Sequence, residues 1–460
     1  MSIRTINIEN YPQYFDIPID FKTQYGEVTT DFKLIKNILS LIPLSHFCDP
    51  NKKWLDPCCG RGYFMISVYK MLFNGLKWAY PNKDKRHTHI IENMLFMVEL
   101  NGEYIPTLYN IFGKNANIFH EDFLEIERKG FDIIIGNPPF NICGLVKVPT
   151  NTKIDKRGDG RAVWMHFITK ALDSLKYRGL LAMITPSIWM KRDHPMHNFI
   201  IQYRIKKLHT LTNAETNKIF HGYAQTPTCY FSLLKMKFHK NLSRNRYIGL
   251  YDKSLHTYIK FPIQTSIPLF AASILKKIQD QLNRLGPIKV KKTNMPHPSI
   301  QFLDNQTDIF TFPNIKTCIL KDKVIPKLVI NYSDKECVFY NKPKLVLAHK
   351  MYGFPYYDIS GNYGVSNRDN YVIYDKTDRE FRILKAFLST KLALYLFEAT
   401  RYRMKYLEKY IFEMIPDISK DTNVIPEVIN DQWLSNYFYL EDIERLAIEN
   451  HTKKNYLSFP

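Results

Sequence analysis

Between Asp31 and Phe238 the sequence alternates short apolar runs with longer amphipathic stretches, and no other feature limits the possible folds so strongly. The runs are KKWLDP (52–57), MLFMVEL (94–100), ANIFHED (116–122), FDIIIGN (131–137), GLLAMITP (179–186) and PTCYFSLLK (227–235). Between them lie stretches with apolar residues at spacings of three and four: FKLIKNILSLI (32–42), FMISVYKMLFNGL (64–76) and HFITKALDSLKY (166–177). Short apolar runs read as buried strands and the spaced stretches as one-faced helices. Strands joined through helices pair in parallel, so the pattern predicts an α/β fold of βαβ units, a mainly parallel sheet with helices on both faces. Past about Asn245 the pattern changes. Residues 246–270 carry no clear periodicity and read as a linker between a first domain, 1–245, and a second, 271–460. The second is predicted to be α+β. It has helical stretches at 271–284 and 379–409, an amphipathic stretch at 440–450, and strand-like segments broken by Pro, Gly and Asn.

A chain of 460 residues suits two or three domains, and 45% apolar with 23% charged residues excludes wholesale disorder. The formal net charge of +20 points to a polyanionic partner. Seven cysteines without a CxxC pair support neither a disulfide framework nor a zinc site, so no metal is expected and a reducing, intracellular compartment is inferred. The first residues lack the apolar core of a signal peptide, and no apolar run approaches the roughly 18–20 residues that span a bilayer. No membrane association is expected.

Four constellations carry chemistry. Asp56-Pro57-Cys58-Cys59-Gly60-Arg61-Gly62 follows a predicted strand and precedes a predicted helix. Glycines at such a turn let backbone approach a nucleoside-containing ligand, although a tight turn without a ligand would need them too. Glu99 ends the next strand run, where an acid accepts hydrogen bonds from ribose hydroxyls. It stands 37 residues past Gly62 rather than about 20, so the polar segment YPNKDKRHTH (80–89) reads as an insertion. Glu92 is the rival acid, on what reads as a solvated helix face. Asp122-Phe123 sits at a third strand end, a carboxylate to accept from an exocyclic amine and a ring to pack on a base. The fourth constellation, Asn137-Pro138-Pro139-Phe140, closes the strand FDIIIG. Paired prolines fix φ and remove two N–H donors. An Asn side-chain oxygen and a backbone carbonyl can then accept both protons of a planar amino group and free its lone pair, while Phe140 offers a stacking surface.

These residues resemble the S-adenosylmethionine-dependent N6-adenine DNA methyltransferases, in particular the TaqI-like gamma class. DPCCGRG is similar to that family's DPxCGxG cofactor loop, Glu99 to its ribose-binding acid, Asp122-Phe123 to its adenine-binding pair, and Asn137-Pro138-Pro139-Phe140 to its catalytic motif. Tyr25-Gly26-Glu27-Val28-Thr29-Thr30 resembles the segment that closes over the methionine part of the cofactor, with Asp31 where a proline is usual. Ile219-Phe220 resembles the segment whose aromatic packs on the flipped adenine, and 342–374 with 381–400 looks like part of the target-recognition domain. The family more often has Tyr than Phe at position 140; stacking needs no hydroxyl.

The resemblance implies a Rossmann-like class I methyltransferase sheet with a C-terminal α+β target-recognition domain, S-adenosyl-L-methionine as cofactor, and double-stranded DNA as substrate, in the cytoplasm or at the site of DNA replication. Asn137, Pro138, Pro139 and Phe140 would be catalytic, Phe220 would stack on the target base, and Thr30, Asp56, Pro57, Cys58, Gly60, Gly62, Glu99, Asp122 and Phe123 would hold the cofactor. The 141–161 loop and the second domain are expected to contact phosphates through Lys147, Lys153, Lys156, Arg157, Lys289, Lys291, Lys292, His349 and Lys350. Rival readings are an RNA adenine-N6 methyltransferase, a protein glutamine methyltransferase, and a DNA-binding module with an inactive cofactor site. No paired-acid-plus-lysine nuclease motif stands out, so endonuclease activity is not expected; a separate cognate restriction endonuclease is one candidate partner, beside an orphan or a viral role. Recognition sequence, biological role and oligomeric state are not legible.

Overall fold

Leu55 shows why the first strand forms where it does: it is fully buried, flanked by buried Trp54 and Asp56, with a parallel partner on either side. The computed structural model describes residues 2–9, 28–141, 162–224, 226–238, 246–263, 265–321, 325–349, 355–402, 407–422 and 428–451. The chain divides into two units, Met1–Leu250 with Pro262–Gln264, and Tyr251–Phe261 with Thr265–Pro460.

The sheet of the first unit is built from β1 (Trp54–Asp56), β2 (Leu95–Glu99), β3 (Asn117–His120), β4 (Phe131–Gly136), β5 (Leu175–Pro186), β6 (Tyr203–Leu211), β7 (Thr228–Lys237) and β8 (Tyr247–Asp252); β9 (Thr257–Pro262) falls almost wholly in the second unit. The order within the first unit is β3-β2-β1-β4-β5-β7-β6-β8. β3 through β5 pair in parallel, whereas β7 runs antiparallel to both its neighbours. This is the Rossmann-like α/β class expected. The chain leaves β1 toward β2 and β3, then returns to place β4 on the other side, so the order reverses between β1 and β4. Ligands of open α/β sheets bind outside the carboxyl ends of the strands at such a point. Leu55 pairs with Phe96 and Ile134, so Asp56, Glu99 and Asn137 leave the sheet at one edge.

Among the helices, α1 (Phe32–Leu39) is capped by Asp31, whose Oδ1 accepts from the Leu34 amide at 2.6 Å, and buries Leu34, Ile35, Ile38 and Leu39. α2 (Tyr63–Gly75) follows the glycine turn and packs most of its length into the same core. The polar insertion is not a loop. Asn82 caps α3 (Lys83–His89), which continues as one π-helical turn over Ile90–Met94, because Ile90, Ile91 and Met94 have a core to enter. α4 (Ile105–Phe112) and α5 (Trp164–Ser174) complete the crossovers; α6 (Pro195–Ile200) and α7 (Asn213–Ile219) lead into and out of β6.

Four expectations need correction. α5 stops at Ser174, and Leu175 already pairs with Phe131 as the start of β5. β6 escaped notice because its apolar alternation, broken by bulges, is filled with lysines and arginine on the exposed side. The 246–270 linker holds β8 and β9, whose short runs of mixed polarity carry no visible period. Among its described residues the 379–409 stretch holds two helices rather than one, α9 (Asp378–Leu388) and α10 (Lys391–Ala399), because Thr390 turns the chain and caps the second. α8 (Ala272–Leu285) precedes them.

Among its described residues the second unit otherwise carries two four-stranded sheets. One has the order β10 (Lys291–Lys292), β17 (Asn370–Ile373), β14 (Lys344–Ala348), β15 (Pro355–Asp358); the other β11 (Phe302–Leu303), β13 (Ile325–Ser333), β12 (Phe312–Lys321), β16 (Gly364–Val365). Lys344 is fully buried beside Asp358 and also donates to the carbonyls of Phe339 and Lys342, which meets the requirement that a buried charge be paired. α11 (Asp431–Tyr437) and α12 (Asp442–His451) close the described chain. No helix among the described residues is long and apolar enough to cross a membrane.

Candidate active site

The glycine turn is shaped by backbone demands. Gly60 and Gly62 take φ of +53° and +79°, where a side chain is strained. A Cβ on Gly62 would also lie 2.9 Å from the Phe112 ring, so glycine there lets α4 pack close. The Cys59 amide donates to the Val98 carbonyl at 2.9 Å, tying the turn to β2. Glu99, only 8% exposed, completes the tie: its carboxylate accepts from the Gly60 amide at 2.6 Å and the Asn101 amide at 2.8 Å. Glu92 lies before the amino end of β2, on the π turn, and accepts from Asn115 at 2.8 Å. The acid beside the glycine turn is therefore Glu99. Leu100, the next residue, is 50% exposed and offers an apolar surface at the same edge. Sequence reading passed over it; an apolar residue directly after a strand-ending acid was the available signal.

Asp56 is almost wholly buried, at 1% exposure. One carboxylate oxygen accepts from the Cys58 amide at 3.2 Å, and the other is buried with no partner among the described residues. Burial pushes this carboxyl up to about 8, partly offset by the Cys58 amide and reinforced by the charge of Glu99. Gly136 makes room for it, since a Cβ there would stand 2.9 Å from Asp56 Oδ1. A buried Asp56 carboxylate oxygen without a partner among the described residues, beside an open glycine turn and the Glu99 carboxylate, suits a positively charged ligand that also carries hydroxyls. Asp56, Gly60 and Glu99 thus fit an S-adenosylmethionine-like molecule: an orphaned carboxylate oxygen for an ammonium group, and a second carboxylate for hydroxyls. Burial raises the Cys58 and Cys59 thiols well above their ordinary range, which leaves them neutral.

β4 delivers Asn137 to the same edge, followed by buried Pro138 and partly buried Pro139 and Phe140. The Asn137 side-chain Nδ2 donates to Thr30 Oγ1 at 3.0 Å and to the Val28 carbonyl at 3.4 Å. Its Oδ1 is buried and has no donor among the described residues. A buried acceptor without a donor is costly, so an arriving donor at this place would be favoured. The Phe140 carbonyl accepts from the Val163 amide at 3.0 Å and Asn141 bridges to Ala162, so Ala162 and Val163 lie beside the motif. Tyr25–Glu27, Lys147, Lys153, Lys156, Arg157 and Lys350 lie outside the described residues.

Of the other expected residues, Asp122 accepts from the Leu124 amide at 2.8 Å, shaping the turn after β3, and Phe123 is buried against Phe167 at 5.7 Å. Phe220 is 1% exposed in the core of the first unit, with Leu211 and Tyr230, and presents no open face to a base. Only the apolar requirement of that position was visible in sequence. In the second unit Lys289, Lys291 and Lys292 are exposed, with Lys291 Nζ 5.5 Å from the Phe339 ring. His349 is largely enclosed, 3.7 Å from Asp369 and edge-on to Tyr371. No cluster of metal-ligating side chains occurs among the described residues.

Residues 68–220 match the family described as Eco57I restriction-modification methylase. The chain is 23% identical over 244 residues to an uncharacterized adenine-specific methylase of Mycoplasma pneumoniae, covering 36% of this chain and 56% of that protein. It is 24% identical over 174 residues to the type II methyltransferase M.PaeR7I of Pseudomonas aeruginosa, covering 33% of this chain and 30% of that protein. The chain thus spans about half or less of the length of these relatives. Among solved structures, the type IIL restriction-modification enzyme MmeI in complex with DNA is similar over 86% of this chain and 68% of its own, at 14% identity and a TM-score of 0.45.

Proposed function

We propose that the protein transfers a methyl group from S-adenosyl-L-methionine to N6 of an adenine in duplex DNA. The observation that carries this reading is the buried Oδ1 of Asn137, without a donor among the described residues, at the strand edge that also bears Asp56, the glycine turn and Glu99. The likeness of residues 68–220 to restriction-modification methylases, and of the chain to an adenine-specific methylase and a type II methyltransferase, supports the same chemistry. The cofactor supplies an electrophilic methyl group when bound. Asp56 would hold its cationic end, Glu99 would accept from its hydroxyls, and Leu100, Asp122 and Phe123 would border its base. Asn137 Oδ1 and the Pro138 carbonyl accept the two N6 protons, which draws the nitrogen toward pyramidal geometry and directs its lone pair outward. Phe140 stacks on the target ring. An adenine cannot reach these groups while paired, so it leaves the helix at a cost of a few kcal/mol. Catalysis then comes from positioning and fixed dipoles rather than from a covalent enzyme intermediate.

The first domain, 1–245, is catalytic in this reading. The second, 271–460, recognises the target, with Lys289, Lys291 and Lys292 on phosphates. Unmethylated duplex DNA incubated with the protein and S-adenosylmethionine should yield N6-methyladenine on digestion to nucleosides. Asn137→Ala should lower the rate by about 100–1,000-fold while calorimetry still shows cofactor binding. Near-normal methylation by Asn137→Ala would remove the central assignment, and methylation of RNA alone would move the substrate class.

A further inference from the structure

The hydrogen bonds around Asn137 contain information that the catalytic motif does not. A side-chain amide has two ends of nearly equal size, and a half-turn about its last bond exchanges oxygen for NH2. At Asn137 the exchange would put a donor where the target amine also brings donors. The Val28 carbonyl can only accept, so an oxygen turned toward it would meet another acceptor; it selects the NH2 end. The Thr30 hydroxyl sits 3.0 Å from the same nitrogen and accepts its second proton. Both partners belong to one short segment, and its position is set from the far side by the Asp31 cap on α1. At this point the usual proline is replaced by a residue that anchors the segment through its side chain.

We propose that Thr30 is a positioning residue: its hydroxyl, with the Val28 carbonyl, holds the Asn137 amide in the one orientation that turns Oδ1 toward the target amine. This reassigns Thr30 from the cofactor, where resemblance had put it, to the acceptor array. The assignment rests on the reading of Asn137 as the acceptor for N6. Thr30 is nearly buried, so its methyl group packs and its hydroxyl is the part that can be removed alone. Thr30→Val keeps the shape and deletes the acceptor; Thr30→Ser keeps the acceptor and deletes the methyl.

The test measures thermal stability, S-adenosylmethionine affinity by calorimetry, and single-turnover and steady-state methylation for wild type, Thr30→Val, Thr30→Ser and Thr30→Ala. Loss of one neutral hydrogen bond that acts on the transition state should lower kcat for Thr30→Val by roughly 10-fold, with KM for DNA and cofactor affinity unchanged. Thr30→Ser should stay close to wild type. If Thr30→Val does not fold, the same contrast is read between Thr30→Ser and Thr30→Ala. A wild-type rate for Thr30→Val overturns the proposal. So does weaker cofactor binding with kcat intact, which would return Thr30 to the cofactor. A wild-type protein that methylates no adenine at all would instead overturn the reading of Asn137 itself, and only that outcome leaves wild type inactive.

Discussion

Asp56 ties cofactor binding to a proton. Its carboxyl is raised from an ordinary 3.8 to about 8 because it is buried and faces Glu99. In the free protein at pH 6, such a group would be ionised in only about one molecule in a hundred, and in half of them at pH 8. If the ionised form binds the ligand's ammonium group, affinity should climb by more than about 10-fold between pH 6 and about pH 8, then fall as the ligand's own amino group loses its proton. Calorimetry at pH 7 in two buffers of different ionisation enthalpy should show close to one proton released on binding. Asp56→Asn should bind more weakly at pH 8 and lose the pH dependence. The stability of the free protein should move the opposite way. The folded state holds this proton more tightly than the unfolded chain, so stability falls as pH rises from about 4 to about 8, by an amount on the order of a few kcal/mol. Thermal melts of wild type against Asp56→Asn across that range isolate the contribution from the histidines. Wild-type affinity that stays flat from pH 6 to 8.5 would refute the reasoning, because it would mean that the ligand does not engage the ionised carboxylate.

Glu99→Ala should weaken S-adenosylmethionine binding about 10-fold, since charge-assisted hydrogen bonds are worth roughly 1.5–3 kcal/mol, whereas Glu92→Ala should bind normally; the reverse pattern would misplace the cofactor's ribose. Lys291→Ala/Lys292→Ala should reduce the slope of log DNA affinity against log salt by about two and weaken specific and random DNA alike, and parallel lines for variant and wild type would put this pair away from the phosphates.

Much of the candidate site was legible before any coordinates because each of its parts is a local demand. Asp56 through Gly62 had to be a strand–turn–helix, given an apolar run, two glycines and another apolar stretch, and Asn137-Pro138-Pro139-Phe140 had to leave a strand stiffly. The period-two and period-four patterns behind β1–β5 and α1, α2 and α5 survive because burial of one face enforces them residue by residue. Where burial is divided between a bulged strand and a charged exposed face, as in β6, or spread over short strands such as β8 and β9, the pattern disappears.

Tertiary structure decided which distant groups meet. Nothing in the residues around position 28 announces that the Val28 carbonyl and Thr30 hydroxyl face Asn137, more than a hundred positions away. Nor does sequence say that Asp56 is sealed from water and must carry its proton near neutrality, that Phe220 is enclosed in the core, or that His349 lies against Asp369. Sequence determines which chemical groups the chain can offer and where it must turn, because those depend on neighbours along the backbone. Desolvation, side-chain orientation and the pairing of charges depend on neighbours in space, and only the packed sheet and its crossovers supply those.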